Sequence, residues 1–139
     1  MTAVYGLPTR PLSDSTDSLL RFAMRADATL TGFVGLLVAI AADPIASLTG
    51  LTSVQEYGLG AFFVFSGLAV FTLAAVPNLR RVGICVAVGN IVFTLAAVAV
   101  VAADALPLTA LGVVATLATG VYTAFFGYLQ YLGVRRLTA

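Results

Sequence analysis

The chain has no histidine, no tryptophan and no lysine among its 139 residues, and it has a single cysteine. Without histidine there is no neutral-range acid–base side chain and no imidazole metal ligand. Cys85 alone cannot close an internal disulfide, and its expected role is that of a small apolar packing residue. Charge is also scarce. Charged residues make up 9% of the chain, against about 25% in an ordinary soluble domain. The net charge of +1 offers no basic face for a nucleic-acid backbone. No glycine-rich phosphate loop occurs, and no span carries paired carboxylates, so an enzyme is not expected, nor any cofactor or metal.

What the chain has in quantity is apolar surface. Hydrophobic residues are 60% of the sequence and the mean hydropathy is +1.06. Four apolar segments, about 26–45, 58–76, 82–103 and 108–132, each approach the roughly 20 residues needed to cross a bilayer. They lack period-two alternation, so strands are not expected. The predicted fold is all-α: a single four-helix transmembrane bundle over 18–139, antiparallel and up-down-up-down. Residues 1–17 read as a polar tail that is flexible or interfacial, with a helix able to start at the N-capping residues Asp17 or Ser18. Leu19–Met24 reads as an amphipathic stretch lying in the interface ahead of the first span.

Arg21 and Arg25 followed by Leu30–Val38 and Ala39-Ile40-Ala41 also fit a secretory signal with a small-residue cleavage site, although the charged lead is long for one. Turn chemistry separates the spans: Pro44 and Gly50, then Pro77-Asn78, then Asp104 with Pro107. The second and third links are short enough to make their flanking helices antiparallel neighbours. Ala41-Ala42-Asp43 and Ala102-Ala103-Asp104 match, but three residues of an alanine-rich chain do not establish a repeat.

All seven arginines fall in the tail, the second link or the C-terminus: Arg10, Arg21, Arg25, Arg80, Arg81, Arg135 and Arg136. The other two links hold Asp43, Glu56 and Asp104 and no base. By the positive-inside rule both termini are expected to be cytoplasmic. Arg80, Arg81, Tyr128, Tyr131, Arg135 and Arg136 are expected at the lipid headgroups, the tyrosines as interfacial anchors.

Helices in lipid pack through small residues. The stripe Gly112, Thr116, Thr119, Thr123, Gly127 and Gln130 marks the inner face of the fourth span. The second span, with Phe62, Phe63, Phe65 and Phe71, is expected to be the most peripheral. Within the spans three polar side chains stand out: Asp27, Asn90 and Gln130. Asp27 lies two residues past Arg25, which would allow it to be wet. Either Asn90 and Gln130 bond across helices and fix register while Asp27 pairs with an arginine at the interface, or Asp27, Asn90, Thr94, Thr123 and Gln130 line a cytoplasm-facing polar cavity for a small molecule, lipid headgroup or proton.

Arg25-Ala26-Asp27, Asn90, and Leu129-Gln130-Tyr131-Leu132-Gly133 ahead of Arg135-Arg136 resemble motifs of a group of bacterial four-helix integral membrane proteins without an assigned activity. The layout is also similar to that of small DoxX-like membrane proteins. The resemblance implies a bacterial inner membrane and the same three polar positions, but no chemistry. The expected function is a small non-catalytic subunit that packs with itself or with a partner membrane protein. The alternative is a binding or transport protein that uses the polar cavity. Membrane lipids are expected partners and nucleic acid is not.

Overall fold

The computed structural model describes residues 16–137, and among these every regular element is a helix. The tail read over 1–17, Arg10 included, lies outside the described residues except for Thr16 and Asp17. There are five helices: α1 (Ser18–Ile40), α2 (Ala42–Thr49), α3 (Ser53–Leu73), α4 (Leu79–Ala102) and α5 (Ala110–Leu137). All but α2 are long and apolar enough to cross a membrane. The protein is therefore a multi-pass membrane protein built as a helical bundle.

Local chemistry sets the boundaries. Asp17 occupies the N-cap position of α1, but its carboxylate holds the Arg21 Nε at 2.7 Å rather than capping a backbone amide. The helix then runs unbroken through Leu19–Met24. Leu20, Ala23 and Met24 are fully buried, so this stretch packs into the bundle as part of α1. Pro44 lacks an amide hydrogen and its ring crowds the carbonyl four residues back, which is Ile40, where α1 stops. In the first turn of α2 the same proline is tolerated. Gly50 ends α2 with φ of 87°, and a Cβ there would meet the Pro107 carbonyl oxygen. A capping box opens α3: Gln55 N–H donates to Thr52 Oγ1 at 3.2 Å, and Thr52 N–H donates to Gln55 Oε1 at 2.9 Å. Thr109 caps α5 by accepting from the Gly112 N–H at 3.0 Å.

The helices stand in the order α3, α1, α5, α4, with α1 against α3, α4 against α5, and α1 joining the two pairs through α5. The α1–α3 contact is made of glycine. A Cβ on Gly67 would lie 2.6 Å from the Ala28 carbonyl oxygen, and one on Gly60 would lie 2.5 Å from the Ala39 nitrogen. The expectation that the second span is the most peripheral needs correction. Its phenylalanines 62, 65 and 71 do face outward, but α4 is the least buried span, and Cys85 on α4 is exposed rather than packed.

A second correction concerns α3 and α4. They follow one another across the short Pro77-Asn78 link yet barely touch. Their linked ends are held by an apolar cluster of Leu20, Met24, Ala74, Leu79 and Val134, with Val70 and Val86 packed against it. Farther along, Phe62 and Phe63 of α3 meet Phe93 of α4 at ring-centroid distances of 6.4 and 5.7 Å and hold the helices apart. Between cluster and rings the two helices leave a cleft.

The bundle has two unlike ends. At the arginine end Leu20 seats between Gly83 and Gly133, and Arg21 donates to the Ala74 carbonyl at 2.7 Å, satisfying the C-terminus of α3. At the opposite end α2 folds back over the start of α5. The Thr109 N–H donates to the Thr49 carbonyl at 2.9 Å, and the Thr49 hydroxyl donates to the buried Glu56 carboxylate.

Candidate functional site

Asp27 is the tenth residue of α1, roughly 14 Å from the helix start at a rise of about 1.5 Å per residue. Its exposure is 5%, so the expectation that it could be wet does not hold. The reason is angular. At about 100° per residue, Arg25 points about 200° away from Asp27 and remains exposed on the outer face. Among the described residues no arginine pairs with Asp27.

Neutral donors hold the carboxylate instead. Oδ2 accepts from the Asn90 amide of α4 at 2.8 Å and from the Gln130 amide of α5 at 2.8 Å. Oδ1 accepts from Thr31 one turn along α1 at 3.1 Å and lies 3.1 Å from the Tyr122 hydroxyl of α5. Tyr122 also reaches the Asp27 carbonyl at 3.0 Å. A second hydrogen of the Asn90 amide goes to Gln130 Oε1 at 2.9 Å, which closes a ring of three side chains from three helices. Every buried side-chain polar atom among the described residues has a partner. In a bilayer, where no water competes, that closure is what makes the cluster tolerable.

The sequence-predicted residues therefore divide. Asp27, Asn90 and Gln130 come together directly. Thr94 and Thr123 form a separate contact one turn farther from the arginine end, their hydroxyl oxygens 2.8 Å apart. Thr94 is also 3.0 Å from the Asn90 carbonyl. Thr31 and Tyr122 complete the set. The signals that could have found them are the depth of Tyr122 in its span, away from either interface, and the position of Thr31 one turn from Asp27 on the same helix face. Glu56, read as a loop acid, is 2% exposed and belongs to the opposite end.

The cleft between α3 and α4, about 230 Å³, reaches this cluster from the side. Asp27, Thr31, Asn90 and Thr123 contribute to its wall, with Phe62, Phe63 and Phe93. Its lining comes from the middle of both helices, and the apolar cluster around Leu20 and Met24 lies between it and the arginine end. The polar groups thus meet a cavity that lies between α3 and α4. No three metal-binding side chains gather among the described residues.

The residues expected at the lipid headgroups are all exposed. Arg80 and Arg81 are exposed in the first turn of α4 and Arg135 and Arg136 in the last turn of α5. Tyr128 and Tyr131 are exposed on α5, and the Arg135 guanidinium lies 5.8 Å from the centre of the Tyr131 ring.

No protein-family model matches the chain, and neither a curated protein nor a solved structure does. The resemblance to the bacterial four-helix group stands on its short motifs.

Proposed function

We propose that this is a non-catalytic membrane protein that binds a small amphiphilic molecule from within the bilayer, with Asp27 at the polar end of the site. One observation carries the reading: a buried mid-span carboxyl group, without a basic partner among the described residues, forms part of the wall of a cleft between two helices long and apolar enough to cross a membrane. An aspartate at a helix centre costs about 2.5–3.5 kcal/mol to insert. An asparagine could hold three helices in register for less, so an aspartate at this position favours a role beyond packing. Native mass spectrometry of protein released from mild detergent tests this. The expected result is a small-molecule adduct on the wild type that is lost from Asp27→Asn. Bare protein in both samples, at detergent levels that retain annular lipid, counts against it.

A packing role remains the second reading, favoured by the complete hydrogen-bond satisfaction of the cluster. On that reading the protein is an accessory subunit, and a membrane partner in fixed stoichiometry would accompany it through purification. The arginine bias supports cytoplasmic termini, and the motif resemblance supports a bacterial inner membrane. A C-terminal topology reporter active outside the cell would overturn the orientation.

A further inference from the structure

The α3–α4 cleft has walls of hydrocarbon and aromatic ring and a floor of oxygen. Resting on the binding reading above, its ligand class follows from which polar capacity the floor leaves free. Asn90 has committed its amide hydrogens to Asp27 and Gln130. What remains is its Oδ1, which has no partner among the described residues; since no buried polar atom there is unpaired, this oxygen is not fully buried, and Asn90 is one of the residues lining the cleft. The Thr31 hydroxyl donates to Asp27, and the Thr123 hydroxyl has the Gly120 carbonyl 3.1 Å away as acceptor. Both keep lone pairs. Ser66, facing from α3, has no hydrogen-bond partner among the described residues and can accept as well as donate. Asp27 adds carboxyl oxygens with no arginine paired to them among the described residues.

Such a floor accepts far more than it can donate. It repels a carboxylate or phosphate and gives little to a ligand that brings only carbonyl oxygens. It suits a donor or a positive charge. The walls agree, because Phe62, Phe63 and Phe93 line the same cleft and aromatic faces attract cations, most strongly where water is excluded. The entrance is also unobstructed: Gly89 lines it on α4, and a Cβ there would meet nothing within 4 Å.

We infer that the cleft binds a membrane-partitioned organic cation, an apolar body bearing an ammonium or a comparable delocalised positive charge, which enters sideways between α3 and α4 and sets its charge against Asp27. No covalent step is involved. Charge complementarity selects the cation and the apolar walls select its lipid solubility.

The test uses full-length protein in lipid nanodiscs and two ions of matched shape and opposite charge, labelled tetraphenylphosphonium and tetraphenylborate. Specific binding is the component removed by Gly89→Phe, which fills the cleft from a position with open space around it. Saturable, Gly89-sensitive binding of the phosphonium is expected, weakened at least tenfold by Asp27→Asn, with no matching component for the borate. Gly89-sensitive binding of the borate as tight as that of the phosphonium, or phosphonium binding untouched by a folded Asp27→Asn, overturns the cation assignment while leaving a ligand cleft. Should Asp27→Asn not fold, the comparison of the two ions on wild type decides alone. If neither ion shows a Gly89-sensitive component, the cation assignment falls; if the adduct seen by native mass spectrometry also survives Gly89→Phe, the cleft reading falls with it.

Discussion

α1 is gripped on two sides by opposite means. Toward α3 it presents Ala28, Gly32, Gly35 and Ala39, and the backbones close to the point where Gly60 and Gly67 have no room for a side chain. Toward α4 and α5 it presents Asp27 and Thr31, and the contact is carried by hydrogen bonds between side chains. The first seam is steric and dry. The second is polar, and it adjoins a cleft. In lipid no hydrophobic force draws helices together, so each seam relies on one of the remaining sources of cohesion, close van der Waals packing or interhelical hydrogen bonds. The difference teaches which seam a fold can spare. A glycine contact fails when any atom is added, whereas a polar cluster loses strength group by group.

The largest effect should therefore come from the steric seam. Gly60→Leu or Gly67→Leu would push side-chain carbon into the backbone of α1, where neither side can yield. A loss of more than about 3 kcal/mol is expected, read as loss of the folded fraction in a denaturing-detergent titration. Wild-type stability in both variants would mean that α1 and α3 are not in this contact.

Next in size is the polar seam. Asp27→Leu leaves the Asn90 and Gln130 amides without their shared acceptor, at an expected cost of about 2 kcal/mol. Truncating Gln130 in the same background should then cost less than it does alone, since its partner is already gone. Strict additivity in that double-mutant cycle would show that the two residues do not interact.

How far the sequence discloses these seams depends on what hydropathy measures. It reports the solvent, so four spans and their number were legible from apolar run length alone. It does not report neighbours. The start of α1 at Ser18 was obscured because Arg21 and Arg25 made Leu19–Met24 look interfacial, although Arg21 is spent on the end of α3. α2 was hidden because eight residues are too few for a periodic signal and Pro44 reads as a break. Asp27, Asn90 and Gln130 stood out singly by their cost in lipid, and burial brought them into one cluster. Nothing local could announce that α3 and α4, joined by a short link, would be held apart by phenylalanine rings. That separation depends on which faces the other two helices leave free.

Smaller effects sharpen the contrast further. Arg21→Ala removes a donor from the Ala74 carbonyl together with the pairing to Asp17, and about 1 kcal/mol is expected, reduced at high salt. Thr94→Val removes the interhelical contacts of one hydroxyl, with the Thr123 hydroxyl and the Gly120 carbonyl, in a region where the average interhelical bond contributes about 0.6 kcal/mol. A Thr94→Val loss as large as that of Asp27→Leu would move the centre of the polar seam one turn farther along α4.

The smallest effect, that of Gly58→Ala, is the most discriminating when set beside Gly60→Ala, because the pair holds helix, residue type and substitution constant. Gly58 and Gly60 are both glycines near the start of α3, two residues apart and so on nearly opposite faces. A Cβ on Gly60 meets the backbone of α1, while one on Gly58 meets nothing within 4 Å. Gly60→Ala should therefore destabilise the protein, and Gly58→Ala should leave it unchanged or stabilise it by up to about 0.5 kcal/mol through helix propensity. The measurement is the midpoint of the same detergent titration. Equal losses at the two positions would remove contact with α1 as the cause and leave a property of α3 alone. Opposite signs would tie the loss to the face that α3 turns toward α1.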